Sequence, residues 1–294
     1  MRFHVVLRTC DKASLQSNRI VSKRECVLRC FNSLLKNLRK VDDVHLHVID
    51  DNSSQTLRYK MQRLAEDDTF VSFNFVDGNP YAGADDPRKV SRHSVKIAYD
   101  YIYNLPEDEL VYIVEDDYLH HEHAILNYVS TWNYLNSITP EGIDVGIFTQ
   151  CFPQLFYRPG SSPSLNETYL RPCDIIPTPD GYYRTTWYTH ESFMIQSKVF
   201  KKYKDKFDEI LKIGDDPAYW EGNTFCSVWN QPDFRMFMPL YPHVMHMSAA
   251  DDVPFYSTRD DILKLWEDNK TFLSLEQESQ VQWSPENLQT EETE

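Results

Sequence analysis

The stretch Val111-Tyr112-Ile113-Val114-Glu115-Asp116-Asp117-Tyr118 decides the fold. Its apolar half, rich in β-branched residues, reads as a strand buried on both faces, the condition of strands in a parallel sheet covered by helices. The run then breaks off into three carboxylates. Open α/β sheets bind ligands at the carboxyl ends of their strands, so acids placed there mark a site. Three adjacent carboxylates repel one another. A hard divalent cation such as Mg2+ or Mn2+, which prefers carboxylate oxygen and bridges phosphates, holds them together. An acidic turn capping the next helix is the structural alternative.

The same alternation extends outward from this stretch. Strands are expected at Phe3 to Leu7, Val44 to Ile49, Val71 to Phe75 and Leu110 to Val114. Helical periodicity separates them at Ser22 to Leu38, opened by a Ser22-x-x-Glu25 capping box, at Thr56 to Leu64 and at Ser91 to Tyr103, and a further helix follows at Ala124 to Leu135. This pattern predicts an α/β fold with a mostly parallel central sheet flanked by helices. The first strand runs into Arg8-Thr9 and the second into Asp50-Asp51-Asn52-Ser53-Ser54, so three strands deliver polar groups to one sheet edge. A carboxylate at Asp50 or Asp51 suits the hydrogen-bond donors of a uracil or a ribose, and an Asx-type turn is the structural reading of the same pair.

From Cys151 to Thr189 the texture turns to Pro, Gly, Ser, Tyr and Arg without periodicity, which predicts a long excursion over a binding face. A strand at Ser192 to Ile195 and helices at Ser197 to Leu211 and Pro217 to Trp229 follow. An apolar stretch, Met236 to Met247, is broken by Pro239 and Pro242. Residues 248–274 read as a helical extension and 275–294 as an acidic, frayed tail.

Of the 294 residues 30 are Lys or Arg and 45 Asp or Glu, and the net charge of −15 argues against a general polyanion binder. Hydrophobic residues at 41% suit a globular chain. Eight glycines are too few for Gly-rich nucleotide loops. No apolar run reaches the roughly 18 residues of a spanning helix, and the chain opens on a strand-like segment, so a soluble, unexported, cytoplasmic protein is expected. The six cysteines include no Cys-x-x-Cys, and Cys26 and Cys30 share a helix face as reduced core residues.

Val5 to Asp11, Val48 to Ser54 and Val114 to Asp117 together resemble a GT-A-fold glycosyltransferase. Glu115-Asp116-Asp117 stands in the place of the Asp-x-Asp metal motif, with Glu115 for the first Asp. The resemblance is good over Arg2 to Asp117 and loose beyond, and it implies one catalytic domain over 1–247, with a nucleotide-sugar half (1–117) and an acceptor half (118–247). It also implies a UDP-linked or other nucleotide-sugar donor and Mn2+ or Mg2+. The metal would be held by Asp117, with Glu115 and a returning histidine, His246 in preference to His243, although a histidine in an apolar run is more often a satisfied core residue. Arg8, Thr9, Asp50, Asp51 and Asp116 would face the donor. Asn79, Gly83, Arg88 and Arg92 would touch its diphosphate, because guanidinium forks match phosphate oxygens, and surface basicity explains Arg88 and Lys89 equally well.

Ile213-Gly214-Asp215-Asp216-Pro217 lies where inverting members of the fold resemble one another in a Glu-Asp pair, which implies Asp216 as the base and Asp215 as an acceptor-holding residue. An N-cap with Pro217 at the first helical position fits equally. In the run Tyr182 to Glu191, Arg184, Trp187, Tyr188 and His190 are the candidate acceptor wall, against a core-packing reading. His120-His121-Glu122-His123 lacks metalloprotease spacing and reads as a solvated helix start.

The resemblance implies as acceptor a glycan or another hydroxyl-bearing biomolecule, or a hydroxymethylated pyrimidine in DNA, because small enzymes of this fold include those that glucosylate modified phage and kinetoplastid DNA. Arg158, Arg171, Arg184, Lys198 and Lys201-Lys202-x-Lys204 favour DNA, and the net charge opposes it. Two rivals stand beside this reading. A nucleotidyltransferase usually carries a Gly-rich first loop, which Arg8 to Ala13 lacks. The other is a non-catalytic sugar-nucleotide-binding module.

Overall fold

Strand β1 (Phe3–Thr9) runs between β2 (Val44–Asp51) and β4 (Leu110–Glu115), parallel to both, and β3 (Val71–Val76) pairs in parallel outside β2. The structure is a computed structural model and describes residues 1–12, 22–82, 84, 87–149, 173–187, 189, 192–212, 221–241, 243–247 and 259–275. Beyond β4 lie β9 (Phe193–Gln196), β6 (Asp144–Phe148), β10 (Phe234–Pro239), β8 (Gly181–Thr186) and β7 (Ile175–Thr178), giving a nine-stranded sheet in the order β3-β2-β1-β4-β9-β6-β10-β8-β7. Strands β9 and β8 run against the others. The expected mostly parallel α/β architecture is the one observed.

Alternation along β1 builds two cores, one on each face of the sheet. Phe3, Val5 and Leu7 pack with α1 (Lys23–Leu38), α2 (Gln55–Leu64) and α4 (Ala124–Ile138). Val6 faces the other way, toward α3 (Pro87–Tyr103), α5 (Ser197–Lys202), α6 (Lys204–Asp208) and α7 (Glu221–Trp229), through Tyr99, Phe200, Phe207 and Phe225. Burial on both faces is why the strand sequences read as continuous apolar runs. Among the described residues no helix is long and apolar enough to cross a membrane.

Several expectations shift. Strands β1, β2 and β4 each continue past their apolar runs, so Thr9, Asp51 and Glu115 are strand residues. Ser22 caps α1 by accepting the Glu25 N–H at 3.3 Å, yet the Glu25 carboxylate turns to Arg29 instead of closing the box. The helix expected over Ser197 to Leu211 breaks at Tyr203 into α5, α6 and a 3-10 turn at Glu209–Lys212. The described end of the expected excursion, residues 175–186, is the β7–β8 hairpin, turned by Gly181 at φ 129°. His120 is no solvated helix start. It is buried in β5 (Tyr118–His120) with its Nε2 3.1 Å from the Tyr112 hydroxyl.

Strand β5 pairs antiparallel with β11 (Val244–His246) in a separate two-stranded ribbon. Leu119, Met245 and Met247 of this ribbon pack with Cys26 and Cys30 of α1 and with Ile262, Leu265 and Trp266 of α8 (Arg259–Asp268), within the expected helical extension. The guanidinium of Arg29 fastens α8 to α1. It lies 4.2 Å over the Trp266 ring and donates to Glu25 Oε1 at 2.7 Å and to the Trp266 carbonyl at 2.7 Å.

Both Arg29 and Glu25 are fully buried. Removing one partner of a buried pair leaves an uncompensated charge and costs roughly 3–5 kcal/mol. Arg29→Met should therefore lower the denaturant midpoint strongly, and the double change with Glu25→Leu should recover most of the loss. Burial also holds two histidines neutral: His120 is pushed down to about 3, and His47, stacked on Tyr101 at 4.2 Å, to about 4. The unfolded chain takes up protons that these imidazoles refuse. Unfolding free energy should accordingly fall as pH drops from about 6.5 toward 4, and denaturation series should show a smaller fall for His47→Asn.

Candidate active site at the carboxyl edge of the sheet

Strands β1, β2 and β4 end side by side, which brings Thr9, Asp50, Asp51 and Glu115 to one edge. The two aspartates of β2 have different surroundings. Asp50 Oδ2 accepts the Thr9 hydroxyl at 2.8 Å, while Oδ1 accepts Arg58 Nε at 2.6 Å and the Ser53 N–H at 3.2 Å. Both of its oxygens are used, and the residue is fully buried. Asp51 Oδ2 accepts Asn79 Nδ2 at 2.8 Å, but its Oδ1 is buried without a hydrogen-bond partner among the described residues. Burial raises the Asp51 pKa, with the Asp50 charge adding to it against His93 and Asn79. An orphaned buried carboxylate oxygen at a sheet edge is unusual and calls for an explanation such as a ligand.

Each acid of the triplet at the end of β4 meets a different side chain. Arg8 Nη2 of β1 donates to Glu115 Oε1 at 2.9 Å. Lys23 Nζ, at the start of α1, donates to Asp116 Oδ1 at 2.5 Å, and the Cys10 N–H donates to Asp116 Oδ2 at 2.7 Å. His246 Nε2 of β11 lies 3.3 Å from Asp117 Oδ2. The ribbon makes this last meeting: Tyr118 is in register with His246, the Met247 N–H donates to the Asp117 carbonyl at 2.8 Å, and the Tyr118 and His246 rings stack at 4.7 Å. The repulsion that pointed to a cation is thus offset in part by protein bases.

His246 lies beside Asp117, whereas His243 packs edge-on against Tyr128. Glu115 and Arg8 are brought together too, as an ion pair with each other. Asn79 bridges Asp51 to the Val90 carbonyl of α3. Arg92 lies nearly buried over the Tyr81 ring at 5.5 Å, and Arg88 lies in the first turn of α3. Register sets Thr186 opposite Met236, Met236 opposite Gly146, Gly146 opposite Ile195 and Ile195 opposite Val111. Trp187 therefore follows a residue level with the start of β4, and it packs on the α3-side core. Arg184 is a nearly buried residue of β8. Gly83, Tyr188, His190, Asp215 and Asp216, and the side chain of Arg88, lie outside the described residues.

Lys23 is not among the expected site residues, and Cys10 and Asp11, within the resembling segment, had no individual role. Asp11 Oδ1 accepts the Ser54 N–H at 2.8 Å, and the Asp11 N–H donates to Ser53 Oγ at 3.1 Å, tying the end of β1 to the turn after β2. A signal for Lys23 was present: a cation in the first turn of a helix opposes the helix dipole.

Among the described residues no three His, Cys, Asp or Glu side chains converge as a metal cage. Asp117 and His246 alone supply one carboxylate and one imidazole at adjoining positions. That pair fits Mn2+ or Mg2+ bound in the usual way to substrate phosphates, with few protein ligands and the remaining positions filled by phosphate and water.

No protein-family model matches the chain, and no curated protein matches it in sequence. Solved structures of similar shape include Staphylococcus aureus TarS, at 11% identity and a TM-score of 0.47 over 92% of this chain and 39% of TarS. A mannosyltransferase from Pyrobaculum calidifontis, solved with GDP-Man and Mn2+, is 11% identical with a TM-score of 0.45 over 91% of this chain and 63% of its own. A 4-diphosphocytidyl-2C-methyl-D-erythritol synthase from Anaerococcus prevotii is 8% identical with a TM-score of 0.41 over 92% of this chain and 99% of its own. The chain thus spans well under half of TarS. Glycosyltransferases of GT-A type are among its structural neighbours, and a nucleotidyl-transferring synthase is another.

The two aspartates of β2 should separate in a stability test. Asp50→Asn takes from the buried Arg58 its buried counter-charge and leaves it the exposed Asp77, 2.8 Å away, so it should cost up to roughly 3–5 kcal/mol. Asp51→Asn removes a carboxylate whose ionisation burial disfavours, so its denaturation midpoint at neutral pH should equal or exceed that of the parent chain.

Proposed function

We propose that this chain transfers a sugar from a nucleoside-diphosphate donor to an acceptor hydroxyl. The observation that carries the reading is the unpartnered Asp51 Oδ1 at the same sheet edge as the Asp117–His246 pair. A buried carboxylate oxygen accepts the N–H of a uracil or the hydroxyl of a ribose, and Asp50 with Thr9 and Arg58 fixes the backbone from which it does so. Asp117 and His246 would hold Mn2+ or Mg2+, which when bound lends Lewis-acid assistance to a departing diphosphate. Arg8 holds Glu115 in place beside them.

A nucleotidyltransferase usually carries a Gly-rich first loop, of which residues 13–21 lie outside the described residues here. Here the N–H groups of Cys10 and Asp11 are committed to Asp116 and Ser53, which supports glycosyl transfer. The lysines favouring a DNA acceptor are also committed: Lys198 and Lys202 pair with Asp144 at 2.8 and 2.9 Å, and Lys202 reaches Asp233 at 2.7 Å. With a net charge of −15, this supports a neutral polyol, such as a glycan, as the acceptor. An inverting displacement, with Asp216 as base and Asp215 beside it, is the form of reaction proposed.

The test is a screen of UDP- and GDP-sugars with Mn2+, following nucleotide release with simple glycans and, separately, with hydroxymethylated duplex DNA. Glycan-stimulated release is expected, with inversion visible in the anomeric configuration of the product. Asp117→Asn should reduce turnover by roughly 10²–10³-fold with the fold intact, the scale of losing an electrostatic stabiliser. Release stimulated by DNA alone would replace the acceptor, and no release from any donor would overturn the assignment.

A further inference from the structure

Lys23 is the first residue of α1, where the positive end of the helix dipole disfavours a cation. It nonetheless reaches into the acid triplet, with its side chain 12% exposed and Nζ 2.5 Å from Asp116 Oδ1. Burial works against the charge, but Asp116 and Asp117 outweigh it and keep the lysine pKa well above its ordinary value. The other oxygen of Asp116 takes the Cys10 N–H, so the end of β1, the start of α1 and the end of β4 meet at this carboxylate. An ammonium carries three donors, and among the described residues Asp116 is the one acceptor for Lys23.

We propose that Lys23 is a catalytic residue that binds the donor's diphosphate, its remaining N–H groups taking phosphate oxygens beside Asp117. This rests on the nucleotide-sugar reading of the site. A bare acid triplet repels a diphosphate, and Lys23 is a fixed cation within the triplet that offsets this repulsion. In the transfer step the bond between the anomeric carbon and the β-phosphate oxygen breaks, and its electron pair stays on that oxygen. The acceptor oxygen bonds to the anomeric carbon and its proton goes to the base. Lys23 remains an ammonium throughout and stabilises the charge that grows on the leaving oxygen.

The test measures UDP and uridine binding by calorimetry at fixed Mg2+ for the parent chain, Lys23→Met, Lys23→Arg and the double variant Lys23→Met with Asp116→Asn. The double variant removes the ion pair without stranding a buried carboxylate, so it separates folding from binding. Lys23→Met and the double variant should each lose roughly ten- to a hundredfold in UDP affinity with uridine affinity unchanged, the scale of a hydrogen bond to a charged group, and Lys23→Arg should stay within a few-fold. Recovery of UDP affinity in the double variant would show Lys23 to be only the counter-ion of Asp116 and overturn the proposal, as would equal losses for UDP and uridine. A parent chain that binds uridine and UDP equally would overturn the diphosphate role. A parent chain that binds neither would overturn the nucleotide-sugar reading together with it.

Discussion

Like charge confined at the end of a strand is the constraint on which the site depends. Three consecutive carboxylates at the end of β4 cannot be held near a sheet edge without partners, and the fold supplies them from three directions: the cations Arg8 from β1 and Lys23 from α1, and the imidazole of His246 from β11. Each pairing fixes an element as well as a charge. Arg8 ties the ends of β1 and β4 together, Lys23 draws the start of α1 toward the triplet, and His246 keeps the ribbon on Asp117. Ion pairs with little solvent around them are strong only when geometry is well set. Two packed cores, one on each face of the sheet, provide that setting.

The ribbon shows how packing reaches the chemistry. Asp117 leads into β5 and His246 closes β11, and the apolar residues alternating with them, Leu119, Met245 and Met247, face α1 and α8. The Arg29 guanidinium, shared between Glu25 and the Trp266 carbonyl, holds α8 in that position. The helical extension is therefore part of the scaffold of the Asp117–His246 pair, through a path of touching side chains that starts at a buried arginine.

Much of this was legible in the residues. The apolar runs of β1 and β4 located the central sheet because burial on both faces demands them, and the acids that end β2 and β4 marked the edge at which the candidate site is built. Which aspartate of β2 has both oxygens taken and which keeps one unpartnered was not legible, because it depends on Arg58, eight residues away on a helix, and on Thr9 across the sheet. Strands β5 and β11 carry three residues each, too short for periodicity to register. The part of Lys23 follows from where the start of α1 falls against β4, and no spacing along the chain encodes that distance. The candidate base at Asp216 belongs to a segment outside the described residues.

A crystal of the chain grown with Mn2+ and a non-hydrolysable UDP-sugar analogue tests the central claim most directly. The nucleoside is expected on Asp51 Oδ1, with anomalous manganese signal between Asp117, His246 and the diphosphate. Nucleotide bound at another edge of the sheet, with Asp51 Oδ1 still unpartnered and the Asp117–His246 pair closed without metal, would contradict it.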